Sequence, residues 1–271
     1  MYRDDSEPED SAETFLARAI SSIGMADFVP TTLDYLRCVA PFRGCFLTIL
    51  NGTKRPEHVY DNVRAERRSV VIDRWLDGAY LLDPFYTVAR DLEGDAVLRL
   101  RETAPDRFPQ STYFREYYRA IRLQDEVAIL IGLLDGSTLF YSIGRTGDDP
   151  RFSARDIAAL RRVLPVAAAL NRRHFADRMP SQAEIAGDDA AQGPGIAAAF
   201  AHFGEDVLTE REREIAGLIL KGHSSQSIAR NVDIKQGTVK IHRKNIYRKL
   251  GISSQNELFA LFLSTVGTDR V

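Results

Sequence analysis

Residues 208–250 read LTEREREIAGLILKGHSSQSIARNVDIKQGTVKIHRKNIYRKL, and their pattern decides the fold of the C-terminal part of the chain. Thr209 followed three residues later by Glu212 predicts a capping box, in which the hydroxyl accepts an N–H at the helix start and the carboxylate turns back to the cap. Ile215, Leu218 and Ile219 then share one face, and Gly222 is a helix stop, so a first helix is expected over about 209–221. Ser224 or Ser225 caps a second helix that buries Ile228, Ala229 and Val232, and the stretch from Asp233 to Gly237 supplies a tight turn. A third helix is expected from Thr238 to Leu250, with Val239, Ile246 and Leu250 on an inward stripe and Lys240, Ile241, Arg243, Lys244 and Arg248 outward.

Between Lys235 and Lys249 there are six Lys or Arg and no Asp or Glu. An isolated basic helix is as often a solvated face as a phosphate contact. This one is the third of three short helices, none long enough to stand alone, and the spacing is that of a unit whose last helix enters a major groove.

The residues resemble the LuxR-type (GerE- or NarL-type) helix-turn-helix. Its pattern L-T-x-R-E-x-E, G-x-S, I-A and T-V-K-x-H-x-x-N-I-x-x-K-L-G is met by Leu208, Thr209, Arg211, Glu212, Glu214, Gly222, Ser224, Ile228, Ala229, Thr238, Val239, Lys240, His242, Asn245, Ile246, Lys249, Leu250 and Gly251. The resemblance implies that Lys240, Ile241 and Lys244 reach bases, while Thr238, His242 and Lys249 contact phosphates or seat the recognition helix. Ser224, Arg243 and Arg248 complete the expected DNA-facing set. A fourth helix, Gln255 to Leu263, looks like the family's dimerisation helix, with Leu258, Phe259, Leu261 and Phe262 on its apolar side. Ser225 and Ser227 depart from the usual Asn and acidic residue, and Lys235 replaces a common Ser at the recognition-helix cap, so the caps are expected to be weaker than usual.

At 271 residues the chain exceeds one average domain. The expected division is a sensor and dimerisation domain over 1–175, a linker over 176–203 rich in Pro, Gly, Ser, Asp and Gln, and the DNA-binding domain over 204–271. Residues 205–271 hold 11 Lys or Arg against 8 Asp or Glu, leaving 25 against 30 from chain totals of 36 and 38, so the basic character is local. No apolar run approaches the ~18 residues of a membrane span, and the N-terminus MYRDDSEPED is acidic rather than signal-like. A cytoplasmic bacterial protein without membrane contact is expected. Cys38 and Cys45 are expected to be reduced and structural, and the five His are scattered, so neither a metal nor a cofactor is expected.

The N-terminal part mixes helices and strands in an order that predicts an α+β domain with a central antiparallel sheet and flanking helices. Residues 11–23 and 29–40 read as helices, CFLTIL at 45–50 as a strand, and 58–63 as its partner after the Asn51-Gly52 turn. A helix is expected from Arg68 to Leu82. VAILIGLL and STLFYSIG flank Asp135-Gly136, the strongest hairpin signal in the chain, and form the centre of the sheet. Ser153 and Asp156 cap a long helix reaching about His174, with Pro165 as an expected kink. The architecture is similar to GAF/PAS-type small-molecule sensors. A receiver domain, the main rival, fits poorly, because no alternating β/α pattern with Asp at strand ends is visible.

The stretches RWLDGAYLLDPFY (74–86) and STYFREYYRAIRLQDE (111–126) gather aromatics beside carboxylates. Rings that offer an apolar face and a hydroxyl suit a ligand pocket, and equally suit a packed core. The candidate ligand-binding set is Trp75, Tyr80, Asp83, Phe85, Tyr86, Tyr113, Tyr117 and Asp125. Trp75, Tyr80 and Asp83-Pro84 also resemble the Trp, Tyr and Asp-Pro of acyl-homoserine-lactone-binding domains of quorum-sensing regulators. In those domains the Asp-Pro lies further beyond the Trp, which leaves the ligand open to other small metabolites. No nucleophile-base pair or phosphate loop points to an enzyme. The expected function is a homodimeric, ligand-responsive transcriptional regulator acting on double-stranded DNA, with activation through RNA polymerase implied by the resemblance. The alternative keeps DNA binding and makes the N-terminal domain a ligand-free dimerisation or protein-interaction module.

Overall fold

The structure, a computed structural model, describes residues 11–119, 121–176, 199, 200 and 202–268. Most of the expected linker, residues 177–198, lies outside the described residues.

The N-terminal domain is built on a five-stranded sheet of order β2-β1-β5-β4-β3, formed by β1 (Gly44–Leu50), β2 (Glu57–Asp61), β3 (Ala96–Arg99), β4 (Leu123–Gly132) and β5 (Thr138–Thr146). Every pairing is antiparallel. The Asp135-Gly136 turn joins β4 to β5 as expected, with Gly136 at φ 83°. Strand alternation divides the apolar residues between two layers. Leu47, Ile49, Val127, Ile129, Leu139, Tyr141 and Ile143 face helices α1 (Ala12–Ser21), α2 (Phe28–Val39) and α7 (Ala154–His174) in one core. Leu50, Ala128, Leu130 and Phe140 face the opposite way, toward the aromatic segments 74–86 and 108–118.

α7 begins with the expected capping box, Ser153 Oγ accepting from the Asp156 N–H at 3.1 Å while Asp156 accepts from the Ser153 N–H at 2.8 Å. The helix continues past Pro165 to His174. The expected helix over 68–82 is instead a broken run. α3 (Ala65–Arg68) passes through a π-helical turn, Ser69–Asp73, into α4 (Arg74–Leu76), and Gly78 at φ 136° redirects the chain into a 3-10 turn, Ala79–Leu82. Only glycine adopts that φ without strain, and a Cβ there would lie 2.8 Å from Val266 Cγ1. Two short helices, α5 (Pro84–Ala89) and α6 (Leu100–Thr103), flank β3, a strand too short and mixed in sequence to be expected.

The C-terminal module contains α8 (Glu210–Lys221), α9 (Ser225–Asn231), α10 (Gln236–Leu250) and α11 (Gln255–Thr268). α10 starts two residues before the expected Thr238, and its N-cap Lys235 makes no side-chain capping bond. α11 runs past the expected Leu263. Among the described residues, no helix is long and apolar enough to cross a membrane.

Candidate nucleic-acid interface and buried cavity

The module's interior is set by the predicted stripes. Ile215, Val239 and Ile246 are fully buried, and Ile219, Ile228 and Val232 nearly so. Thr209 and Glu212 form the reciprocal capping box, and Gly222 closes α8 in the left-handed conformation at φ 94°. Ser224 Oγ caps α9 by accepting from the Ser227 N–H at 3.0 Å. Asp233 adopts φ 49° in the turn before α10, a conformation that Asp tolerates better than most residues.

Anchored this way, α10 leaves Lys240, Ile241, Lys244 and Arg248 exposed and Thr238, His242 and Arg243 partly so. Ile241 is 62% exposed. The Arg243 guanidinium lies 5.4 Å from the Tyr247 ring centre, its Nε donating to the Tyr247 hydroxyl at 3.2 Å. Lys249 behaves differently from the other expected phosphate contacts, because its ammonium donates to buried Glu212 Oε2 at 2.7 Å and ties α10 to α8. Burial would raise the Glu212 carboxyl, but the bonds from Lys249 and Thr209 outweigh it and hold it below the usual carboxylate range.

α11 turns its apolar side inward. Leu258 and Phe262 are fully buried, Phe259 and Val266 nearly so, and Phe262 stacks on Phe200 at 4.8 Å and meets Phe203 edge-on at 5.5 Å.

In the N-terminal domain a cavity of about 90 Å³ opens between the sheet and the aromatic segments. Small residues at one end of the sheet make the space. Gly44 and Gly144 stand in adjacent strands, and Gly144 and Ser142 face Glu126 and Ala128 across β4. Of the expected ligand residues, Trp75, Asp83, Tyr113 and Tyr117 line the cavity. Tyr80, Phe85 and Tyr86 do not. They are buried behind it, Tyr80 against Trp75 at 5.7 Å and Tyr86 at 4.8 Å, and Phe85 against Phe140 at 6.0 Å. Asp125 lies on the opposite face, accepting from the Phe152 N–H at 2.9 Å with Arg99 at 3.5 Å, because adjacent residues of a strand point to opposite sides.

Glu126, its neighbour, is the carboxylate that faces the cavity. Tyr118, one of the rings gathered in 111–126, joins it there with Phe46, Phe140 and Ser142, which sequence reasoning missed. The phase of β4 was the available signal. Val127, Ile129 and Ile131 fix one face, so Glu126 must share the other with Ala128 and Leu130.

Asp83 is both the N-cap of α5, accepting from the Phe85 N–H at 2.8 Å, and the hub of a buried triad. Its Oδ2 accepts from Trp75 Nε1 at 3.0 Å and from the Tyr113 hydroxyl at 2.8 Å. Burial raises the Asp83 carboxyl above its usual range against these donors, and burial followed by the Asp83 charge raises the Tyr113 hydroxyl. Glu126 Oε2 accepts from the Tyr118 hydroxyl at 2.5 Å and Oε1 from Ser142 Oγ. Burial first, and then the charge of Asp83, pushes Glu126 up to about 8.

Residues 206–262 match the family model described as bacterial regulatory proteins, luxR family. Over 161 residues the chain is 35% identical to an HTH-type transcriptional regulator named for the exeN 3′ region of Aeromonas salmonicida, a span of 59% of this chain and 82% of that protein. The chain belongs to the LuxR family of bacterial transcriptional regulators. A shorter match joins it to the transcriptional regulatory protein MctR of Rhizobium johnstonii, 49% identical over 51 residues, or 19% of this chain and 24% of that protein. The LBD domain of VqsR from Pseudomonas aeruginosa aligns with a TM-score of 0.54 at 24% identity, covering 60% of this chain and 96% of that one, a likeness of fold. The relatives are regulators, and the protein is a DNA-binding regulator rather than an enzyme.

In this LuxR-family chain the cavity wall and the DNA-binding module share one segment. Residues 106–118 supply Tyr113, Tyr117 and Tyr118 to the cavity, and the same stretch grips the helix-turn-helix. The Arg107 N–H donates to Gly222 O at 3.0 Å. Asp106 Oδ1 accepts from the Ser224 N–H at 2.9 Å, at the start of α9. Asn256 Oδ1, on α11, accepts from Thr112 Oγ1 at 2.9 Å and from Arg115 at 2.5 Å. Burial opposes ionisation of Asp106, but hydrogen bonds from Ser224 prevail and lower its carboxyl.

Proposed function

We propose that this regulator is ligand-responsive. Residues 1–175 form a sensing and dimerisation domain that binds a small molecule in the cavity, 176–203 link it to the module, and 204–271 bind an operator as a homodimer. Trp75, Asp83, Tyr113, Tyr117 and Glu126 are the ligand residues. Lys240, Ile241 and Lys244 read bases, and Thr238, His242, Arg243 and Arg248 contact phosphates, acting on cytoplasmic DNA with activation through RNA polymerase. The observation that carries this reading is the shared segment: a molecule that displaces Tyr113, Tyr117 or Tyr118 must also move the hydrogen bonds that Asp106, Arg107, Thr112 and Arg115 make to the module. A coupling of about 1–3 kcal/mol suffices for regulation, on the scale of two or three such bonds.

A second reading is favoured by the triad. Asp83, Trp75 and Tyr113 satisfy one another without a ligand, as in a domain that only dimerises or binds a partner protein. Thermal unfolding of the full chain against acyl-homoserine lactones, aromatic acids, amino acids and amines separates the two. A ligand at 100 times its Kd adds about 2.7 kcal/mol, a rise of several degrees. A flat panel favours the ligand-free module.

A further inference from the structure

The described residues lining the cavity include two carboxylic acids, Asp83 and Glu126, and no Lys, Arg or His. The remainder are aromatic, aliphatic or small. Neither acid has an ion-pair partner among the described residues. Arg99 is engaged on the other face of β4 with Asp125 and the Phe152 carbonyl, and Arg74, beside Tyr117, pairs with Glu116. Four donors in the cavity are committed, Trp75 and Tyr113 to Asp83, and Tyr118 and Ser142 to Glu126. The Tyr117 hydroxyl, in a residue only 4% exposed, lines the same wall without a hydrogen-bond partner. Such a cavity has accepting capacity and π faces to offer, with one free hydroxyl.

Resting on the small-molecule function proposed for this cavity, we infer that its ligand is a small organic cation, an amine or ammonium held by Glu126 and Asp83 against the rings of Trp75, Tyr113 and Tyr117. An anion would meet two buried carboxyls with no compensating charge. A neutral acceptor would find one free donor, the Tyr117 hydroxyl, and would leave both acids without a counter-charge. A cation gains from both acids and from aromatic faces, whose attraction for positive charge strengthens when water is excluded. Size limits the choice further. A dry engineered cavity of about 150 Å³ admits benzene, and this one is about 90 Å³.

The groups facing Glu126 give the binding a signature. Burial, then Asp83, and more weakly Asp125 raise it to about 8, against the hydrogen bonds from Ser142 and Tyr118. The empty site therefore holds Glu126 protonated near neutrality. An arriving ammonium ionises it, so binding releases a proton, and below pH 8 affinity rises with pH by up to about tenfold per unit.

The test is calorimetric titration of the full chain with the n-alkyl amines, alcohols and carboxylates from propyl to hexyl, in buffers of different ionisation enthalpy. We expect amines to bind at least about tenfold more tightly than the matched alcohols, with proton release near pH 7, and carboxylates not to bind. In Glu126→Gln the amine preference and the proton release disappear while alcohol binding persists. The proton-release measurement on the unaltered protein stands even if that variant folds poorly. Alcohols binding as well as amines, or carboxylates binding best, overturns the cationic assignment and leaves the cavity a ligand site. Failure of the whole series overturns it too. In that case a response to another metabolite class preserves the sensor function, and a flat panel removes both.

Discussion

Replacing Gly222 with Ala tests whether docking of the module on the N-terminal domain restrains it. Two costs add at this position. Gly222 closes α8 at φ 94°, where an L side chain costs about 1 kcal/mol or somewhat more. The new Cβ would also stand 2.9 Å from Phe108 Cα and 3.2 Å from Phe108 N, backbone atoms that can yield only if the whole segment recedes. Receding breaks the Arg107–Gly222 and Asp106–Ser224 hydrogen bonds, each worth about 0.5–1.5 kcal/mol. The expected loss is about 2–4 kcal/mol. Gly251→Ala is the internal control. Gly251 closes α10 in the same left-handed region, at φ 67°, with nothing within 4 Å of its would-be Cβ, so that variant suffers the backbone cost alone. Urea unfolding of both full-length variants isolates the docking contribution as a difference of about 1–3 kcal/mol. Binding to a duplex selected from a random library, followed by fluorescence anisotropy, then reads its functional sign. We expect Gly222→Ala to bind DNA more tightly than the unaltered protein when stability is not limiting. Equal destabilisation by the two variants, with unchanged DNA affinity, would refute the idea that this contact governs the module.

Two further predictions concern α10. Lys249→Ala should destabilise the protein by about 1–2 kcal/mol, the lower part of the range for a stranded buried acceptor, because water reaches part of the pair. Glu212 is held below its ordinary value of 4.5, so this stabilisation is complete above that pH and fades as pH falls through the folded-state value. Unfolding midpoints of variant and parent should therefore converge in acid, and parallel curves would argue against the ion pair. Lys244→Ala should relax base preference in a selection experiment, whereas Arg248→Ala, on an exposed residue free of the α8 tie, should weaken all sequences and lower the salt slope by about one. Indifference of both variants would remove this helix from the groove.

The DNA-binding module was legible because its signals are local. A capping box, a left-handed glycine and an apolar stripe each act within one or two turns, and Thr209, Gly222, Val239 and Ile246 do in the structure what their spacing implies. The central hairpin was legible for the same reason, through Asp135-Gly136. Misreadings arose where a local pattern was overridden from a distance. The apolar period from Arg68 to Leu82 is helical in sequence, yet Gly78 must pass close to Val266, nearly two hundred residues later in the chain, and the run breaks there. For Lys249 the sequence left open a phosphate contact or a role in seating the recognition helix, and its bond to Glu212, on a helix that becomes a neighbour only after folding, is of the seating kind.

The cavity lies between these cases. Its aromatic residues could be named from composition, but which of them line a space and which fill one depends on how the broken run and segment 106–118 pack against the sheet. The identity of its acid depended on a single step of strand phase. Asp125 and Glu126 are adjacent, and either could serve a site. The run Val127, Ile129, Ile131 commits the odd positions to the helical layer, so Asp125 goes to Arg99 and Glu126 to the aromatic side. A shift of one residue would exchange them, placing Asp125 in the cavity and Glu126 on the face that holds Arg99. Which acid faces the ligand therefore follows from the register of β4, which the alternating hydrophobic residues hold in place.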